Sequence, residues 1–530
     1  MGRMTSGNRG RGAGIAPGTI AVDAAATGAV AQLRTGLKGP LTWSKLSGAS
    51  GLAIGTTGTV SLASALGSGG SAAAVVRVAN GNGDAIERAI ALSATGTATP
   101  AATPPPNTTA LPQAASVLAR WSADAIPAQA DNTALTGWTD SVGGIAATQA
   151  TASAQPKYRT GGQGGKPFVL FSGAQCLDAG SATPVSALMQ GSSNTTMVVC
   201  RNVQATSFGF LFTASASTGY NLFHNGSAAG FFGNMRVPYA GTALTTLCYV
   251  AGQPAGNLGR TFINGTCIQH SAVLRSAAGH SVGIGSSPAN IAGLGARAEV
   301  YEVIVWNRAL TAAEVIQAEK WVREKYASPL PWAGGPFRVF HGDSLTMGEN
   351  SSAALASYPA RVAAINGWPF GTWTNLGHTG VSMNTMRGQA IDGIDPMVPL
   401  LGATPMHLAA WEWFNQRGLT TAAATAETSA YFQARRAAGV AKLVLMTSTD
   451  ASAAADNGTE QKRADYNAFF DANWATYADA YVPIHTDARI GAEGACPNTG
   501  PFTPYFHNDG IHMIDAGYDL LAQLIAPAMA

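Results

Sequence analysis

The chain has 530 residues, too many for one ordinary domain and enough for about three. Its 31 Lys and Arg against 29 Asp and Glu leave a net charge of +2, which offers no electrostatic footprint for nucleic acid or an anionic membrane surface. Charged residues make up only 11% of the chain, where about 25% is ordinary, and no apolar run is long enough to span a bilayer. This excludes a highly solvated cytosolic enzyme and a membrane-inserted protein, and suits β-rich extracellular or virion modules built on small residues.

Residues 1–17 are rich in Gly, Arg and Ser, with no apolar stretch, and read as a flexible segment, not a secretory signal. Residues 18–98 alternate apolar and polar positions between turn glycines. Leu41-Thr42-Trp43, Leu52-Ala53-Ile54, Thr59-Val60-Ser61-Leu62, Ala74-Val75-Val76-Arg77-Val78 and residues 88–93 are expected strands. From about Gly39 on, this stretch resembles a bacterial Ig- or cadherin-like β-sandwich. Asn80-Gly81-Asn82-Gly83-Asp84 reads as a polar hairpin turn, because it lacks most of the acidic ligands calcium prefers. Residues 99–113, with Pro100, Pro104-Pro105-Pro106 and Pro112 among Thr and Ala, are an extended linker.

Residues 114–328 carry short strands separated by Gly/Asn/Ser turns, with strands expected at 167–171, 196–203, 209–213, 246–251 and 299–306. The last leads into a helix opened by Thr311-Ala312-Ala313-Glu314, a capping box, with Val315, Ala318, Trp321 and Val322 on its buried face. Trp138-Thr139-Asp140, Gln155-Pro156-Lys157-Tyr158 and Val303-Ile304-Val305-Trp306-Asn307-Arg308-Ala309-Leu310-Thr311 resemble the concanavalin A-like (laminin-G-like) jelly rolls of phage and bacterial surface proteins. That resemblance speaks for the fold, and glycan binding follows from it only by analogy. Tyr220, Phe223, Phe231 and Phe232 are aromatic candidates for facing sugars, against a default of core packing.

Residues 335–530 alternate strands and helices. Strands are expected at 338–341, 373–376, 441–446 and 481–484; helices at 358–366, 421–439, 465–480 and 514–526, the last stopping before Pro527. Such alternation argues for a parallel sheet with its site at the strands' carboxyl ends. There, an apolar strand ends in Gly342-Asp343-Ser344-Leu345, and much later comes Asp509-Gly510-Ile511-His512. A serine hydroxyl needs a base to take its proton and an anion to orient that base; His512 and Asp509 supply both if they share one turn. Attack on an acyl carbon also requires fixed donors for an oxyanion, for which the Ser344 N–H is a candidate.

These two blocks resemble the SGNH (GDSL-type) hydrolases. The resemblance implies a flavodoxin-like α/β/α domain, the catalytic set Ser344, Asp509 and His512, and an oxyanion hole of the Ser344 N–H, the Gly380 N–H (from Asn375-Leu376-Gly377-His378-Thr379-Gly380) and the Asn415 side chain. The third block of the family, Gly-x-Asn-Asp, reads Trp413-Phe414-Asn415-Gln416 here and departs at both ends. Glu412 and Trp413 are candidate substrate contacts, Trp413 as a stacking surface for a sugar ring. No metal spacing is found around His341, His378 or His507, and no cofactor is implied. The five cysteines, Cys176, Cys200, Cys248, Cys267 and Cys496, form no C-x-x-C and read as buried thiols.

The fold class expected is thus multidomain, two all-β modules followed by an α/β/α hydrolase domain. The function expected is a serine esterase removing O-acyl, most plausibly O-acetyl, groups from a bacterial surface polysaccharide as part of a phage tail fibre or virion appendage. Other virion proteins would be its partners, and the tail-fibre analogy implies a homotrimer. Two alternatives stay open at this stage: a secreted or cell-surface bacterial carbohydrate esterase, and a non-catalytic receptor-binding protein that uses the fold as scaffold.

Overall fold

A computed structural model describes residues 15–16, 19–23, 28–35, 41–48, 52–57, 59–63, 71–80, 85–95, 110–191, 193–202, 208–214, 221–225, 228–231, 237–238, 243–252, 258–272, 279–353, 355–497 and 504–530. The turn at Gly81–Asp84, most of the linker, Tyr220 and Phe232 lie outside them, as do the side chains of Phe223 and Phe231. The chain divides into two compact units, Met1–Pro105 and Pro106–Ala530.

In the first unit, period-two alternation places Trp43, Val76, Val78, Ile90 and Leu92 on one face of a sheet ordered Thr19–Asp23, Ala85–Thr95, Ser71–Asn80, Leu41–Gly48. Leu52, Val60 and Leu62 come from a second sheet, Gly28–Gln32, Thr59–Leu62, Leu52–Ile54, and complete the same core. The five expected strands are present. Thr19–Asp23 and Gly28–Gln32 are additional, each a strand of only five residues.

The second unit begins with an antiparallel nine-stranded and an eight-stranded sheet among the described residues. The nine-stranded sheet includes β1 (Val117–Ser122), β2 (Asn194–Asn202), β3 (Thr245–Ala251), β4 (Leu258–Ile263), β5 (Thr266–Ala272) and β6 (Arg297–Trp306). Central β6 is buried along nearly its whole length because it pairs with β1, β2 and Phe168–Ser172. Val198, Val300, Val303 and Val305 pack against Leu211, Phe212 and Ile284 of the other sheet. The Trp138-Thr139-Asp140 motif serves this fold: the Asp140 carboxylate accepts from the N–H groups of Val142 and Gly143, both at 2.8 Å, and the Trp138 indole donates to the Ser122 carbonyl at 3.2 Å.

β6 leads into α1 (Ala312–Lys325), whose capping box forms as expected, with Glu314 N–H on Thr311 Oγ1 at 3.2 Å and Thr311 N–H on Glu314 Oε2 at 2.7 Å. A five-stranded parallel sheet follows, built from β7 (Phe337–Gly342), β8 (Trp373–Asn375), β9 (Met406–Trp411), β10 (Lys442–Met446) and β11 (Ala480–Val482) in the order β8-β7-β9-β10-β11. Between and after them run α2 (Ser344–Met347), α3 (Tyr358–Ile365), α4 (Met383–Gly393), α5 (Thr421–Ala437), α6 (Glu460–Asn473) and α7 (Asp515–Met529). α3 packs on α7, and α5 packs on both α4 and α6. The unit is therefore mixed α/β.

Two helices differ from expectation. α6 starts at Glu460 and ends at Asn473, where a short 3-10 turn at Trp474–Thr476 takes over. α7 does not stop before Pro527 but runs through it to Met529. The proline sits in the last turn, so it removes only one backbone bond, while burial of Ala526 and Met529 holds that turn in place.

The antiparallel sheets and the parallel sheet share one core. Val199, Val250 and Phe262 join α1 residues Val315, Ile316 and Trp321, and through Trp332 join Phe337 and Leu408. Strand β5 lies along β8, with Cys267 N–H donating to Thr374 Oγ1 at 3.1 Å and Gly371 N–H to Thr266 Oγ1 at 2.6 Å. All five cysteines are buried and unpaired, and burial pushes the thiols of Cys176, Cys200 and Cys496 up to about 12. No described helix is long and apolar enough to cross a membrane.

Inside α1, Arg323 and Glu319 form a buried pair at 2.5 Å, extended by Arg323 to the Leu244 carbonyl at 2.9 Å and to Asn264 Oδ1 at 3.0 Å. Removing the carboxylate strands a guanidinium in the core. Glu319→Ala should lower unfolding free energy by about 3–5 kcal/mol. Chemical denaturation of the two proteins measures it, and an unchanged midpoint would contradict the pairing.

Candidate active site

The site grows from the end of β7. Gly342 pairs with Trp411 of β9, and a Cβ there would lie 2.1 Å from Thr346 Oγ1 and 2.7 Å from the Trp411 carbonyl oxygen, so only glycine fits this turn. Asp343 caps the turn of α2 through a hydrogen bond from Leu345 N–H at 3.0 Å. Ser344 is thereby fixed as the first residue of α2, 7% exposed, at the carboxyl end of the sheet.

The other half comes from the loop before α7. Asp509 Oδ1 accepts the N–H groups of Ile511 at 3.0 Å and His512 at 2.9 Å, closing a tight turn in which Gly510 adopts φ +69°. The bridge between Phe506 and Met513 and the His507 N–H on the His512 carbonyl at 2.7 Å hold the loop's two arms together. Ser452 N–H donates to the Gly510 carbonyl at 2.9 Å and ties the turn to the segment after β10.

The two halves meet in one chain of hydrogen bonds. Ser344 Oγ lies 2.7 Å from His512 Nε2, and His512 Nδ1 lies 2.8 Å from Asp509 Oδ2. Burial alone would raise the Asp509 carboxyl, but the N–H groups of Ile511 and His512 and the His512 ring outweigh it and hold it well below the usual carboxylate range. An ionised Asp509 keeps the proton on Nδ1, which leaves Nε2 to accept from the serine.

Asn415 and Gly380 stand on the loops that follow the strands flanking β7. Asn415 is exposed after β9; its Nδ2 lies 3.4 Å from Oδ2 of Asp343, the residue before Ser344, and its N–H donates to Glu412 Oε1 at 2.6 Å. Gly380 is exposed with φ +70° in the loop after β8. That loop is tied to the serine turn by His378 N–H on the Gly342 carbonyl at 2.9 Å.

Glu412 and Trp413 are not placed as substrate contacts. Each is 1% exposed, because the chain after β9 turns beneath the site and leaves only Asn415 outward. Trp413 packs on Tyr466 with ring centres 4.8 Å apart, so it offers no face to a sugar. Burial, and then the neighbouring Asp343, push the Glu412 carboxyl well above its ordinary value; Asp343, also buried, is raised as well. Gln416 is buried too, donating to the Glu412 carbonyl at 3.2 Å and to Thr428 Oγ1 at 3.4 Å.

Two further residues surround the histidine without having been singled out in the sequence. Glu349 takes the Thr379 hydroxyl hydrogen bond and has its Oε2 3.7 Å from His512 Nε2; Asn350, with φ +64°, donates to Asp509 Oδ2 at 3.1 Å. The available signal was the Gly348-Glu349-Asn350 stop to α2, which puts both immediately after the serine turn. His507 Nδ1 lies 3.1 Å from Asp509 Oδ2, while His341 and His378 are held below the ordinary histidine value, first by burial and then by Arg260. Among the described residues no cluster of three or more His, Cys, Asp or Glu side chains forms a metal site.

No family model matches the chain, and no curated protein matches it. Solved structures similar to it include TesA, at 17% identity over 36% of this chain and 97% of that one, TM-score 0.28. A member of the lipolytic protein G-D-S-L family from Veillonella parvula matches at 14% identity over 36% and 97%, TM-score 0.28. A Trypanosoma rangeli sialidase matches at 13% identity over 51% and 46%, TM-score 0.31. The functional reading below rests on the site's own geometry.

The depressed Asp509 carboxyl fixes the sign of a pH effect. Its stabilising contribution is present above the unfolded carboxyl pKa of about 3.9 and is lost as pH falls toward the lower folded value. The stability gap between wild type and Asp509→Asn should be full near pH 6–7 and narrow progressively as pH falls below about 4. Denaturation midpoints from about pH 7 down to about pH 2 test this; a gap that stays constant below about pH 4 would contradict it.

Proposed function

We propose that the protein is a serine esterase of SGNH type. The observation that carries this is the unbroken relay Ser344 Oγ–His512 Nε2–His512 Nδ1–Asp509 Oδ2, with hydrogen bonds of 2.7 and 2.8 Å. His512 removes the Ser344 proton as Oγ attacks the acyl carbonyl carbon. The resulting oxyanion is held by the Ser344 and Gly380 N–H groups and the Asn415 amide. His512 returns the proton to the departing alkoxide, leaving an acyl-Ser344 ester and free alcohol. A water, deprotonated by His512, then splits that ester to the carboxylic acid and restores Ser344.

The finer reading is an O-acetyl group on a bacterial surface polysaccharide, cleaved by a homotrimeric virion appendage. What supports the substrate is the exposure of Gly380, Asn415 and Asp509 around the serine, which suits a small acyl group on a large hydrated polymer. What supports the setting is the low charge and the two β-rich stretches ahead of the site.

Hydrolysis of p-nitrophenyl acetate by wild type, with a loss of about 10³-fold or more in Ser344→Ala, is the expected result. Equal rates would sink the catalytic assignment. Asn415→Ala should lower kcat by about 10²–10³-fold, the scale of a lost oxyanion donor, and an unchanged kcat would remove Asn415 from that role. For the substrate, acetate should be released from acetylated capsular polysaccharide or O-antigen by wild type and not by Ser344→Ala; activity confined to small aryl esters would reject the polysaccharide.

A further inference from the structure

Where α1 and α4 come together beside β4 and β7, a partly open cavity of about 420 Å³ is lined by Arg260, Thr311, His341, Leu376, Gln389 and Asp392, among others. Arg260 is 5% exposed on β4. Among the described residues its hydrogen bonds are two long ones, from Nη2 to the Leu376 carbonyl at 3.5 Å and the Gly377 carbonyl at 3.3 Å. Its Nε is buried with no partner, and among the described residues no carboxylate pairs with it. The other buried arginines of this unit, Arg323, Arg435 and Arg463, each have a carboxylate within 3.1 Å. Burial alone therefore works against the Arg260 charge, and the guanidinium pKa is held below its ordinary value.

A buried guanidinium without a counter-ion beside a cavity of ligand size calls for an anion from outside. We propose that this cavity binds a monosaccharide-sized sugar acid, with the carboxylate on Arg260 and the hydroxyls on Gln389, Thr311 and Asp392. The guanidinium fork matches a carboxylate. The first turn of α1, opening at Thr311 and Ala312, adds the positive end of a 14-residue helix to the same wall. Asp392, exposed on the lining, accepts from hydroxyl groups and repels a dianion, which favours a hydroxylated monoanion over phosphate. The site is separate from the serine relay and does not rest on the esterase reading.

Calorimetric titration of the full chain with D-glucuronate, D-glucose and inorganic phosphate tests the proposal. D-glucuronate should bind saturably at one site per chain and raise the melting temperature, with D-glucose and phosphate at least tenfold weaker. Arg260→Gln should lose binding at least tenfold. Gln389→Glu, a change at a half-exposed helix position that supplies a carboxylate to the cavity, should do the same in a folded protein even if Arg260→Gln does not fold. Ser344→Ala should bind as wild type does. Glucuronate no tighter than glucose, phosphate as tight as glucuronate, or full binding by Gln389→Glu would each overturn it.

Discussion

The absence of a side chain at Gly342 is the constraint around which the half carrying Ser344 is arranged. A Cβ at that point would strike both Thr346 of the following turn and the carbonyl of Trp411 on the next strand. Because nothing is there, β7 stays paired with β9 to its last residue and the chain still turns at once into α2. Ser344 then stands at the carboxyl end of a buried parallel sheet, and the loops after β8 and β9 are brought to either side of it. The Asp509 turn has to reach this fixed point from the far end of the sequence. It does so because the segment after β10 supplies Ser452 as an anchor and α7 packs on α3 behind it.

The departures from the family's third block acquire a physical account in the packing under Asn415. Where the family pattern has a glycine, Trp413 is buried against Tyr466; where it has an aspartate, Gln416 is buried and bonded to the Glu412 carbonyl and Thr428. Glu412 accepts the Asn415 N–H and is buried, as is Asp343. Burial first, and then the charge of Asp343, hold the Glu412 carboxyl well above its ordinary value. The loop is thus held by a large ring, an amide and a buried carboxyl, while the one outward side chain, Asn415, is the residue that the family pattern shares with this chain.

Much of this was legible in the sequence because it is local or periodic. The Gly342-Asp343-Ser344 corner, the Asp509-to-His512 turn, the Thr311/Glu314 capping box and the period-two strands are written in neighbouring residues. What was not legible depends on distant packing. Glu412 and Trp413 follow a strand that ends at the site, and nothing local says that the chain then dives beneath it. Pro527 marks a stop by its own chemistry, which the burial of Met529 overrides. Glu349 and Asn350 reach His512 and Asp509 only once segments some 160 residues away have folded over them. The strands before Leu41 are five residues or fewer, too short for a periodic pattern to mark them.

Arg260 links the two halves of the larger unit in a way no boundary in the sequence announces. It is a residue of the antiparallel sheet, yet among the described residues its acceptors are the Leu376 and Gly377 carbonyls, at the start of the loop that ends in Gly380. Those contacts are long, so the guanidinium is weakly held and the loop is weakly tethered by it. An anion taking up the free side of the guanidinium would fix its orientation and, with it, the carbonyls that precede Gly380. A ligand can shift such an arrangement only by as much as it favours one of its states. The physical route from the cavity to the serine turn is nevertheless short, running through Arg260, residues 376–378 and the His378 hydrogen bond to Gly342. The same strand-to-strand contact, β5 along β8, keeps both ends of that route in one packed core, so the β-rich half is part of the site's support and not a spacer ahead of it.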